Sequence, residues 1–164
     1  MELEPVENWL RTMGCSPTRV DNAAVRWTVR FDFPASSPHL MEAFSLPKRP
    51  GSVLVISSRS VDGRLVSAYE RASEQARDTF NAELTSLLLR EYIEYRVDQA
   101  SPASAPTRFQ VLAERFDDGL TQDEFFWTVD HVYKTELAVV VCFHKHFGRA
   151  ASQVAVPSPP AANQ

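Results

Sequence analysis

Apolar and polar residues alternate along several segments of the chain, with the period of two that β-strands show. The clearest segment covers residues 24–33. Its apolar members are Val25, Trp27, Val29, Phe31 and Phe33. Such alternation places one strand face in a core and the other in water, which is typical of antiparallel sheets. Shorter segments of the same kind, or continuous apolar runs, predict strands at about residues 40–46, 53–56, 93–97 and 109–114.

Three other segments carry apolar residues three and four positions apart, the spacing of one helix face. They cover about residues 5–14, 65–90 and 122–146. The start of the second helix is open, because Asp62-Gly63 fits either a lead-in or a hairpin turn followed by a helix from near Ser73. The predicted order is α-β-β-β-α-β-β-α. It indicates an α+β fold with two layers, an antiparallel β-sheet and three helices.

The stretch FDDGLTQDEFF, from Phe116 to Phe126, places four carboxylates close to Gly119. An EF-hand calcium loop requires a glutamate six residues after its glycine, and that position is Phe125 here. Thr121 and Glu124 instead match the T-x-x-E capping box. We therefore expect this stretch to start the last helix and not to bind calcium.

Composition narrows the classes of function. The chain has 164 residues and a net charge of -4, so it has no excess of basic residues for binding nucleic acid. The apolar run from Leu137 to Phe143 is too short to span a membrane, and the N-terminus does not resemble a signal peptide. We expect a single cytoplasmic domain over residues 1–147 and a disordered tail, rich in Pro and Ala, over 148–164.

The sequence offers weak candidates for metal binding. On a helix, only Cys142 and His146 of the C-x-H-x-H segment share a face, and two ligands are too few. A distant His131 or His39 could add a third, but His144 and His146 also suit a helix C-terminus as cations. We expect no metal and no cofactor.

The sequence also lacks the motifs of common catalytic sites. It contains no G-x-S-x-G segment and no glycine-rich phosphate loop. The expectation is a protein that is not an enzyme.

Four segments of the chain resemble a known family. They are NWLRTMG, VRWTVRFDFP, LPKRPGSVLVISS and FDDGLTQDEFF. They are similar to the DUF2299-type members of the YbjN-like group, which shares its fold with the class I type III secretion chaperones. The resemblance implies a small cytoplasmic homodimer that binds another polypeptide, since such chaperones hold an unfolded client segment along hydrophobic grooves. It supplies no catalytic residues.

Two sets of residues are candidates for these contacts. In the second strand, Pro47 suggests a sheet edge, and both faces carry apolar residues. The candidates for client binding are Leu40, Met41, Phe44 and Leu46. The run from Leu137 to Phe143 is apolar all round, so either the domain itself or a second subunit must cover it. The candidates for dimerisation are Val139, Val141 and Phe143.

These observations predict a non-catalytic, chaperone-like protein that holds a client segment on an apolar groove or sheet surface. One alternative is a small-ligand-binding or enzymatic domain with a pocket between helix and sheet. Another is a regulatory or immunity-type partner of a toxin or secretion system.

Overall fold

The computed structural model describes residues 2–34, 36, 39–90, 93–101, 104–116 and 118–152. In this part of the chain the elements are α1 (Leu3–Thr12), β1 (Thr18–Arg19), β2 (Trp27–Asp32), β3 (Leu40–Leu46), β4 (Arg49–Ser60), α2 (Gly63–Arg71), α3 (Glu74–Arg90), β5 (Glu94–Asp98), β6 (Arg108–Phe116) and α4 (Gln122–Ala151). The predicted α+β class is confirmed, with four helices in place of three.

The six strands form one open sheet in the order β1-β2-β3-β4-β6-β5. Each neighbouring pair is antiparallel, as the alternation of apolar and polar residues predicted. The register aligns Phe31, Met41, Ser57, Val111 and Tyr95 across five strands. Because side chains alternate along a strand, these residues share one face, called here the inner face.

The hydrophobic core lies on the inner face. The strand residues of the core cluster all belong to this face: Trp27, Val29, Phe31, Met41, Ala43, Val53, Val55, Phe109, Val111 and Ala113. Helix α4 is the centre of the helical layer, because it contacts β4, β6 and the other three helices. Aromatic rings join these elements, with ring centroids 5.6 Å apart for Trp9 and Phe125 and 4.6 Å apart for Phe80 and Phe143.

The long second helix of the prediction is two helices. Asp62 caps α2, since its side chain accepts a hydrogen bond from the backbone N–H of Arg64 at 2.8 Å. The hairpin alternative for Asp62-Gly63 is therefore wrong. Ala72 is extended, with ψ of 152°, and the Ser73 hydroxyl then accepts from the N–H of Ala76. Serine is a favoured N-cap, so the alternative start near Ser73 is the start of α3.

The predicted position of the second strand in the sheet is wrong. Strand β3 lies between β2 and β4, so it is an interior strand and not an edge. Pro47 lies in the turn between β3 and β4, where its missing N–H costs no ladder hydrogen bond. The two-residue β1 escaped prediction because two residues show no period.

Helix α4 begins as predicted. Thr121 is the N-cap, and its hydroxyl accepts from the N–H of Glu124 while the Glu124 carboxylate accepts from the N–H of Thr121. Asp117 lies outside the described residues. The helix continues to Ala151, five residues beyond its predicted end near residue 146. Residues 153–164 of the predicted tail lie outside the described part of the chain.

Replacing the helix cap tests this account of α4. We expect Thr121→Ala to lower the free energy of unfolding by about 1 kcal/mol, because the N–H of Glu124 loses its acceptor. Urea denaturation measures the change. Thr85→Ala, on the exposed side of α3, should leave stability unchanged or raise it, because alanine is the better helix former. Equal losses for both variants would contradict the cap.

Candidate functional site

The face of the sheet opposite the core, called here the outer face, carries a continuous group of apolar side chains. This outer-face cluster consists of Leu40, Phe44, Leu46, Leu54, Ile56 and Leu112. Leu40 is 53% exposed and Leu54 is 7% exposed, while the other four are partly buried. None of the six belongs to the hydrophobic core cluster. No helix in the described part of the chain packs on this face. The apolar surface is therefore open to a partner.

Two ion pairs lie beside apolar residues of the cluster. The guanidinium of Arg30 lies 2.6 Å from the Glu42 carboxylate, and that of Arg49 lies 2.6 Å from Glu114. Both carboxylates come from the interior strands β3 and β6, and the side chains of Arg30 and Arg49 are 49% and 59% exposed. Glu42 lies between Leu40 and Phe44 along β3 and opposite Ile56, so charged and apolar side chains are interspersed on this face.

Two polar atoms of the outer face are buried without a hydrogen-bond partner among the described residues, Thr28 Oγ1 and Glu114 Oε1. They lie at opposite ends of one cross-strand row, with Phe44 and Leu54 between them. Buried polar atoms are nearly always hydrogen-bonded. Because both atoms are buried, a molecule on this face could reach them only after neighbouring side chains move.

A shallow groove of about 350 Å³ crosses β3, β4 and β6 on the outer face. Its lining mixes apolar, hydroxyl and charged groups: Leu40, Ile56, Ser58, Glu42, Arg30 and Arg108. The Arg108 guanidinium donates to the Ser58 hydroxyl at 2.7 Å. This groove suits an elongated molecule with alternating apolar and polar groups better than a small apolar ligand.

A buried polar cluster lies on the inner face beneath α4. Glu136 is 1% exposed and accepts hydrogen bonds from the Ser57 hydroxyl and the Arg59 guanidinium. His39 Nε2 contacts the same carboxylate and lies 2.6 Å from Ser57 Oγ. Arg59 also donates to His39 Nδ1 at 2.8 Å. The cluster joins α4 to β4 and to the start of β3.

The hydrogen bonds of this cluster keep Glu136 ionised. Burial opposes ionisation and is the largest single influence, yet bonds from His39, Ser57 and Arg59 together hold the pKa of Glu136 below its usual range. Because Arg59 donates to Nδ1, the His39 proton lies on Nε2, which faces the carboxylate. Ser57 is 1% exposed. In a nucleophilic triad the histidine would accept from an accessible serine, so this arrangement suits a buried ion pair.

A sequence model of a protein family covers most of the chain. The family is described as an uncharacterised conserved protein, DUF2299, and the match spans residues 3–143.

The chain belongs to the DUF2299 family.

Solved structures extend the comparison for this DUF2299 chain. An uncharacterised protein from Methanothermobacter thermautotrophicus is similar with a TM-score of 0.81 and 21% identity, covering 88% of this chain and 98% of that one. YbjN from E. coli, described as a candidate transcription regulator, gives a TM-score of 0.48 and 15% identity, covering 96% of this chain and 97% of that one. A search of curated proteins found no match. The first likeness establishes the fold.

The predicted client-binding residues of the DUF2299 chain divide between the two faces. Leu40, Phe44 and Leu46 lie on the outer face, whereas Met41 is 1% exposed in the core. Met41 cannot contact a client, because register with Phe31 places it on the inner face. Sequence reasoning missed Leu54, Ile56 and Leu112, since the pattern of β4 is continuous and that of β6 has apolar residues on both faces.

The predicted dimerisation residues also divide. Val139 and Phe143 are 1% and 2% exposed in the core of the same chain, so neither can reach a second subunit. Of the two predicted alternatives, the domain itself and a second subunit, it is the domain that covers this side of α4. Val141 is 58% exposed. It shares the outward side of α4 with Leu137 and Trp127, which are also exposed.

The histidines and cysteines fall in separate places. His39 belongs to the buried polar cluster, and His131 stacks on Trp127 with ring centroids 4.7 Å apart. Cys15 and Cys142 are both buried thiols. Cys142 and His146 lie close together, and Glu83 of α3 joins them. None of the helices in the described part of the DUF2299 chain has the length and apolar character to cross a membrane.

Removing one charge tests the buried polar cluster. Glu136→Gln keeps the shape of the side chain but leaves Arg59 without its anion. Breaking a fully buried pair costs about 3–5 kcal/mol, and the 41% exposure of the Arg59 side chain reduces the loss, so we expect about 2 kcal/mol in urea denaturation. Glu42→Gln, which breaks the more exposed pair with Arg30, should cost at most about 1 kcal/mol.

The ionised state of Glu136 also predicts how the free energy of unfolding depends on pH. The pKa of Glu136 is held below its ordinary value of 4.5, so on acidification the unfolded chain takes up this proton first. The stabilising contribution is therefore complete above pH 4.5 and disappears as the pH falls through the folded-state pKa. The difference between wild type and Glu136→Gln should narrow over this range. A constant difference would contradict an ionised Glu136.

Proposed function

We propose that this chain is a non-catalytic protein that binds an extended segment of another polypeptide on the outer face of its sheet. The single observation that carries the proposal is the outer-face cluster, which no helix in the described residues covers. Leu40, exposed by 53%, lies where a bound side chain would first make contact. Burial of such apolar surface is the main driving force of association.

Two features of the outer face favour a polypeptide as the occupant. Apolar residues lie on three adjacent strands, with Phe44 opposite Leu54 and Ile56 opposite Leu112, so the apolar surface extends across the sheet and an extended chain can span it. The groove places Leu40 and Ile56 beside Arg30, Glu42 and Arg108. An extended chain presents side chains in alternation. It can therefore place apolar groups on Leu40 and Ile56 and polar groups beside the charged side chains.

The buried polar cluster supports the non-catalytic part of the proposal. Ser57 and Glu136 are each 1% exposed, so a substrate would have to displace α4 to reach them. Their hydrogen bonds are directed at one another. A role in fixing α4 on the sheet accounts for all four residues of the cluster without a reaction.

Substitution of one exposed leucine tests the binding surface. Peptides selected from a random displayed library against the wild-type chain should bind Leu40→Ser about tenfold more weakly, because part of a leucine contact worth about 1.5–3 kcal/mol is lost. Fluorescence anisotropy with the labelled peptides measures the affinity. The matched control is Leu89→Ser, since Leu89 is 65% exposed on α3, away from the outer face.

Two results would contradict the proposed function. In the first, selection yields no peptide that binds the wild-type chain. In the second, the selected peptides bind Leu40→Ser as tightly as they bind Leu89→Ser. Because Leu40 is half exposed, its replacement leaves the core intact, and thermal unfolding of both variants checks this point.

We further propose that the chain is a homodimer that uses the outward side of α4. Trp127, Leu137 and Val141 are exposed by 55%, 46% and 58%, and intervals of four and ten residues keep them on one side of a helix. Light scattering at micromolar concentration should give twice the chain mass of 18.5 kDa, and Val141→Lys should shift it to the monomer. A monomeric wild type would overturn the dimer.

A further inference from the structure

Helices α3 and α4 bring a carboxylate, a thiol and an imidazole together. Glu83 lies on α3, and Cys142 and His146 lie on α4, four residues apart and so on one side of the helix. One ligand atom from each residue lies within 4.8 Å of the other two. The sequence showed only the pair on α4, because Glu83 is distant in the chain and reaches the pair through the packing of the two helices.

The three donors fit the coordination chemistry of zinc. Sulfur, nitrogen and oxygen donors together suit this borderline ion, with bond lengths of about 2.3 Å to sulfur and about 2.0 Å to nitrogen or oxygen. Tetrahedral ligand atoms then lie about 3.3–3.6 Å apart. His146 Nε2 is already 2.9 Å from Glu83 Oε2. Shifts of about 1 Å would bring all three donors onto one ion.

We propose that Glu83, Cys142 and His146 bind a zinc ion that ties α3 to α4. With three protein ligands, a water molecule completes the tetrahedron. Binding replaces the thiol proton of Cys142, which passes to solvent, and leaves the imidazole neutral. No oxidation or reduction is involved.

The surroundings of the three residues support this site. The Lys145 ammonium donates to both oxygens of Glu83 at 2.7 and 2.8 Å, and zinc-binding carboxylates usually have such a second partner. The His146 ring borders an open cavity of about 420 Å³ lined also by Ala72 and Ala76. Of the three proposed ligands, His146 is the one that borders this cavity.

Cys142 distinguishes a metal site from a simple ion pair. Glu83, Lys145 and His146 can form a charged network by themselves, and such a network has no need of a thiol. The Cys142 thiol is buried and nevertheless has one ligand atom within 4.8 Å of both Glu83 and His146. A thiolate bound to a metal would therefore report the proposed site and not the charged network.

Titration of the chelator-treated full chain with zinc chloride tests the proposal. Isothermal calorimetry should give one ion per chain, with the affinity weakened more than about tenfold in Cys142→Ala, His146→Gln and Glu83→Gln, since even second-shell partners contribute that much. Cobalt in place of zinc should show a thiolate-to-metal charge-transfer band that Cys142→Ala abolishes.

Two matched controls complete the experiment. Cys15→Ala removes the other buried thiol, and His144→Ala removes a neighbouring exposed imidazole, so both should keep full affinity and the cobalt band. Circular dichroism checks that each variant is folded, and His146→Gln tests the site if Cys142→Ala unfolds. Failure of the wild type to bind zinc would overturn the proposal. A cobalt band that persists in folded Cys142→Ala would overturn it too.

Discussion

The packing of the helices on one face of the sheet is the constraint on which the rest of this structure depends. An antiparallel sheet with apolar residues on one face needs a cover on that face only. Helix α4 and its neighbours supply it, and the core cluster takes its strand residues from the inner face alone. The outer face is then available to solvent or to another molecule. Its apolar cluster is the feature of the fold that most needs a partner.

The buried polar cluster determines where α4 lies on the sheet. Apolar contacts alone allow a helix to slide or rotate, because they have no preferred direction. Glu136 removes this freedom, since its carboxylate must meet Ser57 and Arg59 of β4 or remain buried without a counter-charge. With α4 fixed, Val139 and Phe143 point into the core and Val141 points outward. The proposed zinc ion would add a second fixed point, between α3 and α4.

Much of the fold could be predicted from local pattern, because alternation and helical spacing report on single elements. The antiparallel sheet and the capping box of Thr121 and Glu124 follow from such signals. The position of a strand within the sheet cannot be predicted in this way, since it depends on pairing between distant segments. The prediction of β3 as an edge strand is wrong for this reason. The prediction of Met41 as a surface residue is wrong too, because its pairing with Phe31 places it on the inner face.

The candidate site shows the same limit. Leu40, Phe44 and Leu46 could be predicted from the sequence, because they alternate along one strand. Ile56 and Leu112 join them only through the pairing of β3, β4 and β6. In the same way, Glu83 joins Cys142 and His146 only after α3 packs on α4. A single sequence gives no sign of contacts at such separations.

The central claim is that the outer face of the sheet binds a polypeptide segment. Methyl-selective nuclear magnetic resonance of the wild-type chain, titrated with a library-selected peptide, tests it most directly. The account predicts that the methyl signals of Leu40, Ile56 and Leu112 shift with the peptide, whereas those of Leu89 and Val141 remain in place. Shifts confined to Leu89 or Val141, with Leu40 and Ile56 unmoved, would contradict it.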